Sequence, residues 1–441
     1  MFAPAVIDDL FNRTAERQYE RELLFSSLVS LVSRVVMRIH PSVHAAYQKS
    51  LGEISVSVKA LYDKLSHVEP NTSRALVQHS AREAAELVNC SKGTRKPLLE
   101  GFPARILDGN HLGKTHHRLK VLQATAAGAL PGHSLVLLDP ERMIIEDVVC
   151  CEDAHAQERT MLADMLPSIA RGDLLIDDRN FCTLGFLFAV MDRGAYFITR
   201  QHGRMPWTPV TKPRYAGRTE TGVVYRQDVE LRDPETGRIK RLRRITVKLN
   251  KPTRDGDAEI HLLTNLPLRR ASATQVAELY RDRWTLETAF QEMTTQLRCE
   301  LQSLGYPKAA LFGFCVAVCC YNVLAALKGA LRSTYGEETI QAKVSNYFLT
   351  DEITGTYRGM MVALPPAEWR AFQSMSKTEL AAQLCEWAGG ADLSTYPKHK
   401  WAPKKPKQTR PNAQFQHVST ARLLDEERIR KITEMSECRT P

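Results

Sequence analysis

No Cys-x-x-Cys pair occurs anywhere in the 441 residues, which removes the zinc ribbon and the thioredoxin-like site from consideration. The ten cysteines are either adjacent doublets, Cys150–Cys151 and Cys319–Cys320, or scattered singly at Cys90, Cys182, Cys299, Cys315, Cys385 and Cys438. That is no framework for a secreted disulfide protein, and reduced thiols in a cytoplasmic one are the expectation. A secretory leader is not expected, because acids precede any apolar run in the opening MFAPAVIDDLFNRT. Internal repeats are absent. Long uncharged runs are scarce as well. The exception is Ala309 to Leu327, nineteen residues between Lys308 and Lys328, long enough for a membrane span. It contains Gly313, Tyr321, Asn322 and three cysteines and has no companion. A buried core helix is the better reading, and no membrane partner is expected.

What the chain does have is positive charge. Lys and Arg outnumber Asp and Glu by 60 to 50, a formal +10, with an isoelectric point near 9.1. Such an excess suits a polyanionic partner, most simply DNA or RNA. The length exceeds one compact core and predicts two or three domains.

Residues 1–95 read as a helical domain with DNA binding as a candidate role. Leu23, Leu24, Leu28, Leu31, Val32, Val35 and Val36 recur at helical spacing, with Arg13, Arg17, Arg21, Arg34 and Arg38 interspersed. The bland alternative is a helical cap with solvated charges. Residues 96–335 change character. Ala104–Asp108 is a short β-prone run, and His133–Leu138 with Met143–Cys151 makes a hairpin across Asp139-Pro140. A helix from His155 to Ala170, a strand Asp173–Asp177, an apolar helix over 181–193 and a strand Tyr196–Thr199 follow. Three strands, a helix, a strand, a helix and a strand predict an α/β class with a mixed sheet, the order of a ribonuclease-H-like core. Residues 201–258, rich in Arg, Gly and Thr, predict a β-rich insertion with a cationic surface. Glu259–Asn265 returns to a strand, and Ser272 or Thr274 could cap a long helix from Thr274 to about Leu301. A helical C-terminal region (336–394) and a basic flexible tail (395–441) complete the chain. The tail carries Lys398, Lys400, Lys404, Lys405, Lys407 and Arg410 among prolines, and would grip phosphates without sequence preference.

Three acids stand where a fold could bring them together. Asp108 ends the run Arg105-Ile106-Leu107 beside Gly109, and Asp178 follows Leu174-Leu175-Ile176-Asp177. An acid at the carboxyl end of a buried strand lies where ligands gather in open α/β sheets. Taken singly, each is better read as a turn or cap residue. On the long helix, Val276, Leu279, Leu286, Phe290, Met293 and Leu297 form the buried stripe. Tyr280, Arg283, Glu287 and Thr294 fall on a second face. An Arg283–Glu287 surface ion pair is the dull alternative. Three carboxylates from separate elements are what two Mg²⁺ ions (or Mn²⁺) need in phosphodiester chemistry, Asp108 bridging both and Asp178 and Glu287 each completing one.

The run Tyr280-Arg281-Asp282-Arg283-Trp284-Thr285-Leu286-Glu287 resembles the Y-x-x-R-x-x-x-E signature of the IS4-family DDE transposases. Asp178-Arg179-Asn180-Phe181 resembles the family's second-aspartate motif, Leu107-Asp108-Gly109 its first, and Tyr321-Asn322 is also familiar. The resemblance spans roughly 100 to 330. It implies a DNA transposase with Asp108, Asp178 and Glu287 as metal-holding catalytic residues, binding terminal inverted repeats, nicking by water attack and joining the freed 3′-hydroxyl to target DNA. It further implies double-stranded DNA as partner, a homodimer on that DNA, and a bacterial, nucleoid-associated location. Arg283 and Tyr280 would touch phosphates, while Trp284 and Trp207 are candidates for stacking on a displaced base. Thr294 replaces the usual lysine seven residues after the glutamate, and Arg298 is the candidate substitute. In the tail, Lys404, Lys405 and Lys407 are the candidate phosphate contacts. A metal-dependent nuclease without strand transfer, and a DNA-binding derivative without catalysis, are the alternatives.

Overall fold

The computed structural model describes residues 2–17, 22–253, 256–364, 368, 370–398 and 417–437. Arg21 and the tail lysines Lys400, Lys404, Lys405 and Lys407, with Arg410, lie outside the described residues. Five helices come first: α1 (Pro4–Thr14), α2 (Phe25–Val36), α3 (Val43–Lys49), α4 (Val58–His67) and α5 (Pro70–Cys90). Ser42 and Ser57 cap α3 and α4 by accepting from the third backbone N–H, and Pro70 opens α5 where its missing donor costs nothing. The apolar stripe of α2 is buried: Leu28, Val32 and Val36 are fully covered.

The strands are β1 (Ala104–His111), β2 (Gly128–Leu130), β3 (His133–Asp139), β4 (Ile144–Cys151), β5 (Leu174–Asp177), β6 (Tyr196–Arg200), β7 (Thr208–Pro209), β8 (Arg214–Arg218), β9 (Gly222–Arg232), β10 (Ile239–Leu249), β11 (Glu259–Thr264) and β12 (His417–Ser419). Ten form one sheet in the order β4-β3-β1-β5-β6-β11-β10-β9-β7, with β8 also on β9. Central β1 runs antiparallel to β3 and parallel to β5, and β5 runs parallel to β6. An antiparallel meander followed by two parallel strands is the ribonuclease-H-like order, here lengthened by β7–β11. The fold is mixed α/β, as the alternation of strand and helix patterns predicts.

The remaining helices are α6 (Lys120–Gln123), α7 (Leu162–Met165), α8 (Leu184–Asp192), α9 (Ala273–Arg281), α10 (Trp284–Gln296), α11 (Pro307–Tyr335), α12 (Glu337–Lys343), α13 (Asn346–Ala363), α14 (Arg370–Ser374), α15 (Lys377–Gly389) and α16 (Thr420–Glu437). The apolar run 309–327 lies in α11, which packs against α5, α2, α4 and β4. It is long and apolar enough to cross a membrane, but 89% of its most apolar window is buried inside the protein.

Three expectations are corrected. The helix read over 155–170 is a series of short turns around α7, bent by Pro167 at Leu166–Ser168. The stretch read as a wholly flexible tail ends in order: β12 pairs parallel with β2, and α16 follows. Residues 420–437 contain no proline and are dense in Leu, Glu, Arg and Lys, all good helix formers. The helix expected from Thr274 to Leu301 is two helices. At the junction Thr285 N–H reaches Asp282 O and Leu286 N–H reaches Arg283 O, a tightened turn of three-residue bonds.

The sheet has two apolar faces. Ile106, Val136 and Ile176 face the helices α9–α11, whereas Leu107, Leu135 and Leu175 face α7 and α8. On the outer strand, Asp147 of β4 is 1% exposed and accepts from both arms of Arg74, from Gln78 on α5 and from Ser168. The helical segment is thereby fastened to the sheet. Nearby, the Glu146 carboxyl lies against the Arg105 guanidinium. Burial, opposed by Arg105 and reinforced by Asp139 and Asp173, pushes the Glu146 carboxyl up to about 7 from 4.5. The fold prefers the neutral acid, so stability from this group is intact at low pH and falls as pH rises between those values. Over that window the wild type should lose on the order of 2 kcal/mol more stability than Glu146→Gln. Urea unfolding of both proteins across the range checks this, and parallel profiles would refute it.

Candidate active site

Strand alternation decides where the aspartates point. Asp108 lies two residues beyond Ile106 and opposite Val136, so it shares their face of the sheet, the one covered by α9 and α10. Asp178 follows β5 and accepts a hydrogen bond from the Tyr280 hydroxyl at 3.2 Å. Its neighbour Asp177 faces the other way, fully buried beside the Thr199 hydroxyl. Burial pushes the Asp177 carboxyl well above the usual range. Of the doublet, Asp178 is the one aimed at the helices.

The helices are themselves held. Ser272 caps α9 in a reciprocal box with Gln275. Arg243 of β10, 8% exposed, donates to Leu266 O at 2.8 Å and Ala271 O at 2.9 Å, fixing the turn that leads into α9. The inserted strands therefore orient the helix rather than merely decorating the core. Val276, Leu279, Leu286, Met293 and Leu297 are buried as the stripe predicts, while Phe290 is only half-buried against them.

Arg283 occupies the centre of the site. From the tightened turn it donates to Asp108 Oδ2 at 2.6 Å and to Glu287 Oε1 at 2.8 Å, with 11% of its side chain exposed. The structure thus gathers Asp108, Asp178, Tyr280, Arg283 and Glu287. Burial, offset by Arg283 and the Gly109 N–H and aided by Asp178 and Glu287, pushes the Asp108 carboxyl up to about 6. Burial works against the Arg283 charge, but Asp108, Tyr280, Asp178 and Glu287 outweigh it and hold the guanidinium charged. Burial, with Asp178 nearby, also pushes the Tyr280 phenol up, so it remains a donor. Among the described residues no three His, Cys, Asp or Glu side chains already stand at metal-ligation distance. The acids surround a guanidinium instead. One positive charge among three carboxylates leaves an unbalanced negative field of hard oxygen donors, which is the chemistry a divalent cation fits.

Other sequence candidates fall elsewhere. Tyr280 is 7% exposed and holds Asp178 rather than facing outward to phosphate. Trp284 is 61% exposed at the start of α10, with the Arg283 guanidinium 6.0 Å from its ring centre. Trp207 packs against the buried cluster under β9, with the Arg244 guanidinium 4.8 Å above its ring. Thr294 returns its hydroxyl to Phe290 O. Arg298 does not take the place of the missing lysine: its guanidinium donates to the carbonyls of His40 and Pro41, because the chain leaves helix at Leu297 and turns toward α2.

Two features escaped the sequence reading. The loop that leaves β1 carries Lys114, His116, His117, Arg118 and Lys120, exposed, with no acid between Asp108 and Asp139. That acid-free interval was the available signal. The second is Glu158, which lies beneath Gly109 and has no distinguishing sequence context.

Residues 105–323 match the family model of the transposase DDE domain, so the chain carries a DDE transposase domain. The match begins in β1 and ends one residue past Asn322. A curated relative, "Putative transposase y4zB" of Sinorhizobium fredii (strain NBRC 101917 / NGR234), is 32% identical over 134 residues, which is 30% of this chain and 36% of that protein. The match therefore spans little more than a third of that relative's length. Among solved structures, a piggyBac transposase synaptic complex with hairpin DNA aligns at a TM-score of 0.38 and 11% identity, covering 92% of this chain and 85% of that one.

Proposed function

We propose that the chain is a cut-and-paste DNA transposase of the IS4 type, acting by phosphoryl transfer at the ends of its element. One observation carries the reading: acids from three distant segments meet on one face of the sheet, two bonded to Arg283 and the third to Tyr280. Asp108, Asp178 and Glu287 would hold the divalent ions, Mg²⁺ by preference. Bound there, the ions would activate an attacking oxygen and stabilise the departing one at a scissile phosphodiester. Arg283 neutralises the acids until then, and once released it has the charge and the fork geometry for a backbone phosphate. Tyr280 keeps Asp178 oriented throughout. Trp284 offers an exposed ring to a base, and the loop after β1 offers cations to the duplex backbone.

The test is a duplex bearing the element's inverted repeats, incubated with the full chain, Mg²⁺ and a plasmid target. The expected outcome is metal-dependent nicking at the repeat end and a joined product. Nicking with no joined product would reduce the protein to a nuclease. Binding with neither would leave it a DNA-binding derivative.

A further inference from the structure

The face of the sheet opposite the acids holds a polar cluster that the catalytic reading leaves unused. Gly109 follows Asp108 and points to that face, paired with Leu135. Beneath it lies Glu158, in the turn Glu158–Met161, with 17% of its side chain exposed. A Cβ on Gly109 would overlap the Glu158 carboxylate, so only glycine lets this acid come so close to β1. One carboxylate oxygen pairs with His111 Nε2 at 3.4 Å, on the same strand as Asp108. The other accepts from Asn180 Nδ2 at 3.3 Å, two residues after Asp178. Behind His111 the fully buried His133 ring lies 5.1 Å away, limiting its retreat.

From this geometry we infer that Glu158 is a positioning residue for the proposed metal site. It ties the end of β1 to the turn after β5 from behind, and so fixes the separation of Asp108 from Asp178. The inference rests on the assignment of those two aspartates. Groups that orient metal-holding residues typically change metal affinity or activity about 10–100-fold when removed.

The experiment uses the full chain, with Mn²⁺ as probe. Binding is followed by loss of the free-ion paramagnetic resonance signal, and cleavage of end-bearing DNA is measured across Mn²⁺ concentrations. Glu158→Ala should weaken Mn²⁺ binding and raise the half-saturating concentration for cleavage about 10-fold or more, with the metal-free unfolding midpoint close to wild type. Glu158→Gln, which still offers an oxygen to Asn180, should recover most of the affinity. Asn180→Ala cuts the same tie from an exposed position and should reproduce the weakening even if Glu158→Ala folds poorly. Gly109→Ala displaces the acid sterically, so adding Glu158→Ala to it should cost little more. Unchanged Mn²⁺ binding in both Glu158→Ala and Asn180→Ala would overturn the inference. Asp178→Asn separates the two levels. If that variant also binds and cleaves normally, the site assignment itself has failed; if it loses both while Glu158→Ala loses neither, only the tie is wrong.

Discussion

Glu287→Gln is expected to reduce Mg²⁺-dependent cleavage of end-bearing DNA by roughly 10³-fold or more, the scale on which a cooperating set fails when one member is lost. The change is nearly isosteric and 47% of the Glu287 side chain is exposed, so folding and DNA binding should survive. Asp108→Asn and Asp178→Asn should do the same, and the pairwise double variants should be little worse than the singles, because the acids act as a unit. Asp177→Asn is the informative contrast. Its carboxyl is buried on the other face, where burial pushes its pKa well above the usual range, so an amide should be tolerated there and cleavage retained. Labelled DNA on a denaturing gel reads the chemistry, and a mobility shift reads binding. Wild-type cleavage by Glu287→Gln would sink the metal-site proposal.

The largest expected loss of stability comes from Asp147→Ala, about 3–5 kcal/mol, the usual consequence of leaving a buried ion without its partner. Arg74, Gln78 and Ser168 all converge on that carboxylate. Its removal leaves the Arg74 guanidinium, 21% exposed, with only the Asp164 carbonyl as acceptor among the described residues. Asp147→Asn should cost less, since one oxygen still accepts. Urea denaturation gives both values, and a cost under about 1 kcal/mol for alanine would show that the helical segment and the sheet are joined chiefly by apolar packing.

The core was legible because its signals are local. Alternation in Ala104–Asp108 and the apolar run Leu174–Ile176 fix strands, and strands fix which face each aspartate takes. The stripe through Val276, Leu286 and Met293 fixed the helix that carries Glu287. What escaped the sequence depends on partners far along the chain. Arg298 looked like a phosphate ligand one turn past Thr294, but its direction is set by carbonyls at His40 and Pro41. Arg283 looked like a phosphate contact, and only the assembled sheet shows it bonded to Asp108, 175 residues away. The tightened turn at Asp282–Trp284 has no glycine or proline to announce it. Glu158 is one acid among many until Gly109 and Asn180 are placed beside it.

Asn322 has a consequence of another kind. Its side-chain amide, fully buried on α11, accepts from the Ile145 N–H at 2.9 Å and donates to the Ile145 carbonyl at 3.0 Å, while also reaching Ser80. Strand β4 is the terminal strand of the sheet on that side. A single amide therefore imitates the backbone of a neighbouring strand and stops the ladder there. An uncapped β margin is a template for runaway association between molecules. At Ile145, then, β4 has no free backbone pair to offer a second copy, and any association along that border has to go through side-chain surfaces at this point.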